Sequence, residues 1–306
     1  FVNPDYLDAA LDRIGRDRLS GQHMIGCWFW ELEQIPDDWL PAIEQVDEIM
    51  VATDYVEKAF RRVTDKPMLR VPLPLDGIVD SGLERRDFGL DEDAFVFLVS
   101  LDFNSWFERK NPLAAVEAFL LAFPPTQTHV RLLIKTSNGF RYQEKFHALL
   151  LAAGKDRRIV VRDDVIDRAH MGALQRCCDA YVSLHRAEGF GLGLAEAMFM
   201  GKPVVGTAWS GNVDFMVEGN SCLVGYELVA VLEGQYSASE EQRWANPNIT
   251  MAAACMRRIA ADPGFARSIG QQAAQDIRRS NSPATAAKII VDRLRLLNLT
   301  ANTASG

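Results

Sequence analysis

The sequence predicts an α/β protein of doubly wound parallel sheets, and three observations carry that expectation. Helical and strand-like periods alternate along most of the 306 residues. The strands read as unbroken apolar runs, as sheets covered on both faces require. A glycine-rich stretch falls between a strand and a helix, the joint where such sheets take ligands.

From the start, helical periodicity over residues 5–19 (Leu7, Leu11, Ile14, Leu19) precedes an apolar, aromatic strand over 24–30. Residues 39–46 read as a helix, 48–52 as a short buried strand and 54–63 as another helix. This αβαβα order resembles the tail of a doubly wound sheet, so the first half of that unit is expected on a preceding segment. A short N-terminal cap is the alternative. Val71-Pro72-Leu73-Pro74-Leu75-Asp76 has two prolines close together, which stiffen an extended segment suited to a linker or an edge strand. The alternation then restarts. Strands are expected at 95–101, 130–135, 159–162, 180–184 and 203–207, with helices at 112–123, 142–153, 169–178 and 192–200. Residues 249–297 read as helical, broken at Asp262-Pro263-Gly264 and Ser282-Pro283, and 301–306 are expected to fray.

Composition narrows the function. Forty-one acidic against 33 basic residues give a net charge of −8. A chain so acidic and without a basic run is a poor match for nucleic acid or an anionic membrane surface. The apolar run at 113–123 is interrupted by Glu117 and too short to span a bilayer. Five cysteines, odd in number and without C-x-x-C spacing, fit reduced thiols in a cytoplasmic protein better than disulfides or zinc. With no H-x-H, D-x-D or His/Cys cluster, neither a metal nor another cofactor is expected. No G-x-S-x-G elbow argues for hydrolysis.

The strongest local signal is His185-Arg186-Ala187-Glu188-Gly189-Phe190-Gly191-Leu192-Gly193-Leu194-Ala195-Glu196-Ala197-Met198, which leaves a strand and opens a helix. Glycines let a backbone approach a ligand closely. The first amides of a helix lack internal partners and sit at its positive end, so they suit phosphate oxygens. A glycine joint can equally serve only to turn the chain. Glu188 stands at the loop mouth and Glu196 about two turns on, towards the same side. Both can accept hydrogen bonds from hydroxyls, as a sugar nucleotide would offer; a solvated carboxylate and a helix-dipole charge are the alternatives.

Glu188 to Glu196 resembles the E-x7-E motif of the retaining glycosyltransferases of family 4, whose architecture is two Rossmann-like domains, called GT-B. Glu196-Ala197-Met198, Gly201-Lys202-Pro203-Val204-Val205 and Ser210-Gly211-Asn212 look like further parts of that family's block. The resemblance implies a division into residues 1–75, the trailing part of an acceptor-side domain; 76–275, a nucleotide-sugar donor domain; and 276–306, a C-terminal helix returning to the first. It implies that Glu188 lies by the donor sugar, that Glu196 holds the ribose, and that Gly189, Phe190, Gly191 and Leu192 meet sugar and phosphate. Gly193 stands where many relatives carry proline, and is expected to loosen the loop without removing a contact.

Arg109-Lys110-Asn111-Pro112 brings two cations to the carboxyl edge of the sheet, suited to neutralising a departing diphosphate. It resembles the family's phosphate clamp, with Lys135 as helper. Where many members carry an arginine after the first strand, this chain has Asp102-Phe103-Asn104. His185 is a donor-site candidate or a structural histidine. Asp163 and Val165 sit where relatives pack the nucleotide base, or else cap the next helix. Ser210 and Asn212 edge the crevice, and Trp30 and Glu31 are weak acceptor-side candidates. The resemblance implies a metal-independent, retaining transferase moving a hexose from a nucleotide-diphosphate sugar, its co-substrate, to a glycan, lipid or small-molecule acceptor. It leaves peripheral membrane association open through a preceding N-terminal part. A non-catalytic nucleotide-sugar-binding module or one lobe of a larger transferase is the alternative; the lysine motif of a pyridoxal-dependent phosphorylase is absent.

Overall fold

The computed structural model describes residues 2–237 and 240–303, with side chains as far as Leu297. Its first part holds α1 (Leu7–Ile14), α2 (Arg16–Leu19), β1 (Ile25–Cys27), α3 (Leu40–Glu44), β2 (Glu48–Val51), α4 (Asp54–Arg61) and β3 (Met68–Arg70). The three strands form a parallel sheet in the order β1-β2-β3. The helix expected over residues 5–19 is broken at Gly15, whose φ of 96° ends α1, and Ile14 faces solvent. The strand expected over 24–30 stops at Cys27, because Trp28 and Trp30 turn into the core, their indoles donating to the carbonyls of Val2 and Gln34. The helix expected over 39–46 opens as a 3-10 turn at Asp37–Trp39. Strand β3 was not foreseen; the proline segment that follows it is irregular.

Beyond the linker come β4 (Phe95–Asp102), α5 (Phe107–Lys110), α6 (Pro112–Ala122), β5 (Val130–Ser137), α7 (Gln143–Ala153), β6 (Ile159–Asp163), α8 (Arg168–Cys177), β7 (Ala180–Ser183), α9 (Leu192–Phe199), β8 (Val204–Thr207) and β9 (Cys222–Val224). Their six strands are all parallel, in the order β6-β5-β4-β7-β8-β9. From β4 the chain winds to one side through β5 and β6, then returns to the other through β7, so a switch point lies between β4 and β7. Strand β4 shows why its run is apolar throughout. Phe97, Val99 and Leu101 enter the core shared with α6 and α10, while Val96 and Leu98 enter the one beneath α8, α9 and α11.

The hairpin β10 (Tyr226–Ala230) and β11 (Arg243–Pro247) follows, then α10 (Ile249–Ala261), α11 (Pro263–Ser280) and α12 (Pro283–Thr303). The antiparallel hairpin leaves the large sheet and buries Trp244, with Val231 and Tyr236, in the core of the first part beside Trp28, Trp30 and Trp39. Helix α12 also returns there, and Arg293 Nε lies 2.9 Å from both carboxylate oxygens of the buried Glu48. Of the residues expected to fray, 301–303 continue α12 and 304–306 lie outside the described residues.

Candidate active site

A cavity of 690 Å³ opens at the carboxyl ends of β4 and β7, at the switch point. Its centre is the loop between β7 and α9. Gly191 takes a φ of 94° and caps α9 without a side-chain bond, a conformation that strains other residues. The first amides of α9 therefore stand at the cavity with the helix's positive end behind them. Two elements fix the loop from outside. The Glu188 amide donates to Ser210 Oγ at 2.8 Å, and Thr53 Oγ1 of the first part donates to the Gly189 carbonyl at 2.9 Å.

Two cations face Glu188. Helix α5 is a single turn bounded by Trp106 (φ 63°) and Asn111 (φ 50°), and this tight bend aims Arg109 and Lys110 at the loop. Lys110 Nζ donates to Glu188 Oε1 at 2.5 Å, and Arg109 Nη1 lies 3.2 Å from Glu188 Oε2. Arg109 is 4% exposed; it donates to the carbonyls of Ala187 (2.9 Å) and Ser105 (3.0 Å) and lies 3.7 Å from Glu31. Burial alone would push the Glu188 carboxyl up, but Lys110 and Arg109 outweigh it and hold it at about 2. Burial draws the Lys110 ammonium down, with Glu188 opposing. The Arg109 guanidinium is depressed by burial, yet Glu188 and Glu31 leave it net raised. Two cations and two carboxylates thus form a balanced ionic cluster in the cavity wall.

Glu196 is the second acid of the cavity. Burial raises its carboxyl, with Arg168 and Gln175 opposing. Its partners are long: Arg168 Nη2 at 3.3 Å, itself largely exposed, and Gln175 Nε2 at 3.4 Å. Glu196 and Lys110 both line the cavity that Gly191 lines.

Of the residues singled out in the sequence, Glu31, Arg109, Lys110, Lys135, Val165, Glu188, Gly189, Phe190, Gly191, Leu192 and Glu196 line this one cavity. Lys135 does so with its charge already engaged: Nζ donates to the carbonyls of Thr136 and Asp164 and lies 2.9 Å from the Asp164 carboxylate. Five others point elsewhere. Asp163 accepts from Thr136 Oγ1 and the Gly139 amide, tying down the loop after β5. His185 is fully buried, with Nε2 2.9 Å from Asn212 Oδ1 and Nδ1 3.0 Å from Ser183 Oγ. Because Asn212 Nδ2 donates to the Thr207 carbonyl, its oxygen faces His185, so Nε2 carries the proton; burial keeps the ring neutral. Ser210, at a φ of 76°, holds the Glu188 amide from behind. Trp30 packs on Trp39 and Tyr236 in the core.

Gly193, expected to loosen the loop, lies in the first turn of α9 and packs so closely that a Cβ there would collide with Tyr181 Oη and stand 2.9 Å from Cζ of that ring. Asp164, from the same turn as Asp163, also lines the cavity, as do Tyr181, Ser100 and Gln175, which were not foreseen. They carry no motif, although a tyrosine in an otherwise aliphatic strand was a usable signal. Asp102, where an arginine was expected, accepts from Asn138 Nδ2 and the Asn104 amide. Among the described residues no group of three or more His, Cys, Asp or Glu is arranged to hold a metal ion, and no helix is long and apolar enough to cross a membrane.

Two parallel Rossmann-like sheets around such a crevice define the class: the fold is of the GT-B type. Residues 105–232, which include both cations, the glycine loop and both carboxylates, match the family model described as glycosyl transferases group 1. Sucrose-phosphate synthase from Thermosynechococcus elongatus superposes with a TM-score of 0.69 at 18% identity, over 93% of this chain and 71% of that one. Anabaena HepE, solved with UDP and glucose, gives 0.71 at 14%, over 96% and 76%. The pneumococcal O-GlcNAc transferase GtfA, solved with UDP and GlcNAc, gives 0.61 at 14%, over 95% and 55%. At these identities the likeness is one of fold. No curated protein matches the chain in sequence.

Proposed function

We propose that this chain is a retaining, metal-independent glycosyltransferase that moves a hexose from a nucleotide-diphosphate sugar to a glycan, lipid or small-molecule acceptor. One observation carries the reading: an acid held by two cations, the first amides of a helix and a second, loosely held acid line a single cavity. The three suit a sugar, a pyrophosphate and a ribose in turn. In this reading residues 1–75 are acceptor-side, 76–275 bind the donor, and 276–306 return to the first part.

Each side chain then has a physical task. The α9 amides and Lys110 hold the pyrophosphate, whose negative charge grows as the bond to the sugar breaks; preorganised donors gain strength at that moment. Arg109 keeps Glu188 ionised and fixed, so that it accepts from donor-sugar hydroxyls and favours positive charge developing at the anomeric carbon. Glu196 accepts from the ribose diol. The leaving phosphate oxygen takes the acceptor's proton on the same face, so no protein base is required. That HepE and GtfA were solved with UDP and a sugar supports a donor of this chemical class. Thermal-shift and calorimetric titration with UDP, GDP, ADP and TDP tests the reading; a chain that binds none of them refutes it. A non-catalytic binding module is the second reading, favoured by Asp102, an acid lining the cavity where a cation was expected. Donor turnover with and without added acceptors separates the two.

A further inference from the structure

The floor of the cavity holds a polar pair that the reading above leaves without a task. Tyr181 and Ser100 sit on the adjacent central strands β7 and β4, with Tyr181 Oη and Ser100 Oγ 2.7 Å apart. Both line the cavity, and Tyr181 is 5% exposed. A hydroxyl here is unexpected. The strand ends in an apolar sheet, and burying an OH costs free energy unless it is hydrogen-bonded. Isosteric phenylalanine would pack the same space. The site has also been cleared for the hydroxyl: Gly193, in the first turn of α9, leaves the volume that Tyr181 Oη fills, and any side chain at 193 would displace it. The phenol lies in the field of both Glu188 and Glu196. Burial first, then those two carboxylates, raise its pKa against the opposing bond from Ser100, so it remains a protonated donor at neutral pH.

A pair of hydroxyls sharing one hydrogen bond has one further proton to give. The first turn of α9 packs against it at Gly193, and the first amides of that helix also donate. The spare hydroxyl proton and the helix amides, lining one cavity, offer two kinds of donor to an anion.

We infer that the Tyr181 hydroxyl, set by Ser100 in the space that Gly193 leaves open, is a direct hydrogen-bond donor to the pyrophosphate held at the start of α9. The inference rests on the nucleotide-sugar reading and adds to it a binding residue that no motif marks. It also gives Gly193 its reason: the residue is small so that a neighbouring strand can deliver a donor through the helix's first turn.

The test uses the whole chain. Wild type is titrated calorimetrically with UDP, GDP, ADP and TDP, and the tightest binder is carried to Tyr181→Phe and Ser100→Ala. The matching nucleoside, without phosphate, is followed on the same proteins by ligand-observed NMR. Tyr181→Phe is expected to weaken the diphosphate by about 10- to 100-fold, the range for a hydrogen bond to a charged group, and to leave the nucleoside unchanged. Ser100→Ala, which keeps the ring and loses only its anchor, is expected to give a smaller loss of the same selectivity. Equal weakening of both ligands would make Tyr181 merely structural, and undiminished diphosphate binding in both variants would remove it from the site; either result overturns the inference. A wild type that binds no nucleoside diphosphate would instead sink the functional reading itself. Gly193→Ala supplies an independent arm, since displacing the hydroxyl should reproduce the diphosphate loss without touching Tyr181.

Discussion

Glu188 and Glu196 lie in one motif and one cavity, yet their surroundings are opposed. Glu188 is met by two cations within 3.2 Å, and its carboxyl is held at about 2. Glu196 meets an exposed arginine and an amide at 3.3 and 3.4 Å, and burial raises its carboxyl. An acid with strong fixed partners is part of the wall, and its ionisation is set before any ligand arrives. An acid with weak, long partners in a half-buried place is one whose best hydrogen bonds are still to be made. In the proposed reading, Glu188 is thus prepared for the sugar electrostatically and Glu196 for the nucleotide by its unspent hydrogen-bonding capacity.

The sharpest way to break this contrast is Arg109→Met. Removing one member of a buried ionic cluster should lower stability by about 3–5 kcal/mol, because Glu188 and Glu31 lose their compensating charge. Denaturant unfolding measures it, and Glu196→Gln beside it should cost little. Lys110→Ala should lower turnover by about 10²–10³, the scale for removing one preorganised donor, and should change diphosphate affinity much less. Intact kcat would remove Lys110 from the departing charge. Glu196→Ala should weaken nucleotide binding by about 1–3 kcal/mol in calorimetry while the melting temperature holds. The smallest effect is in pH. The depressed Glu188 contributes stability that is complete above the ordinary carboxylate value of 4.5 and is lost as pH falls towards about 2. The raised Glu196 has the opposite sign: its buried charge is a cost at neutral pH that acidification relieves. Nucleotide affinity should therefore begin to fall at a pH where the fold is still intact, and Glu196→Gln should flatten that profile.

Much of this was legible in local pattern. The apolar runs of β4, β5, β7 and β8 and the intervening helices need only near neighbours to be recognised, and the glycine loop announces its strand–helix joint. What escaped depends on direction or on distant chain. Trp30 and Glu31 were nominated together, but alternation separates them. Phe29 and Glu31 line the cavity, while Trp28, Trp30 and Leu32 turn into the core. His185, Ser210 and Asn212 flank the loop in sequence, yet bond to one another's surroundings behind it. Lys135 was read by charge alone, and its engagement with Asp164 lies across the sheet. Tyr181 and Gly193 are unremarkable singly; only their contact gives either a meaning.

The hairpin has a practical corollary. Trp244 is fully buried, and its companions come from the opposite side of the proline segment. A truncation beginning at Asp76, the boundary that the family resemblance implies, strips that indole of its packing and exposes an aromatic arm to water. Such a half-molecule should self-associate, and biochemists wishing to study donor recognition separately would do better to retain the first 75 residues than to cut there.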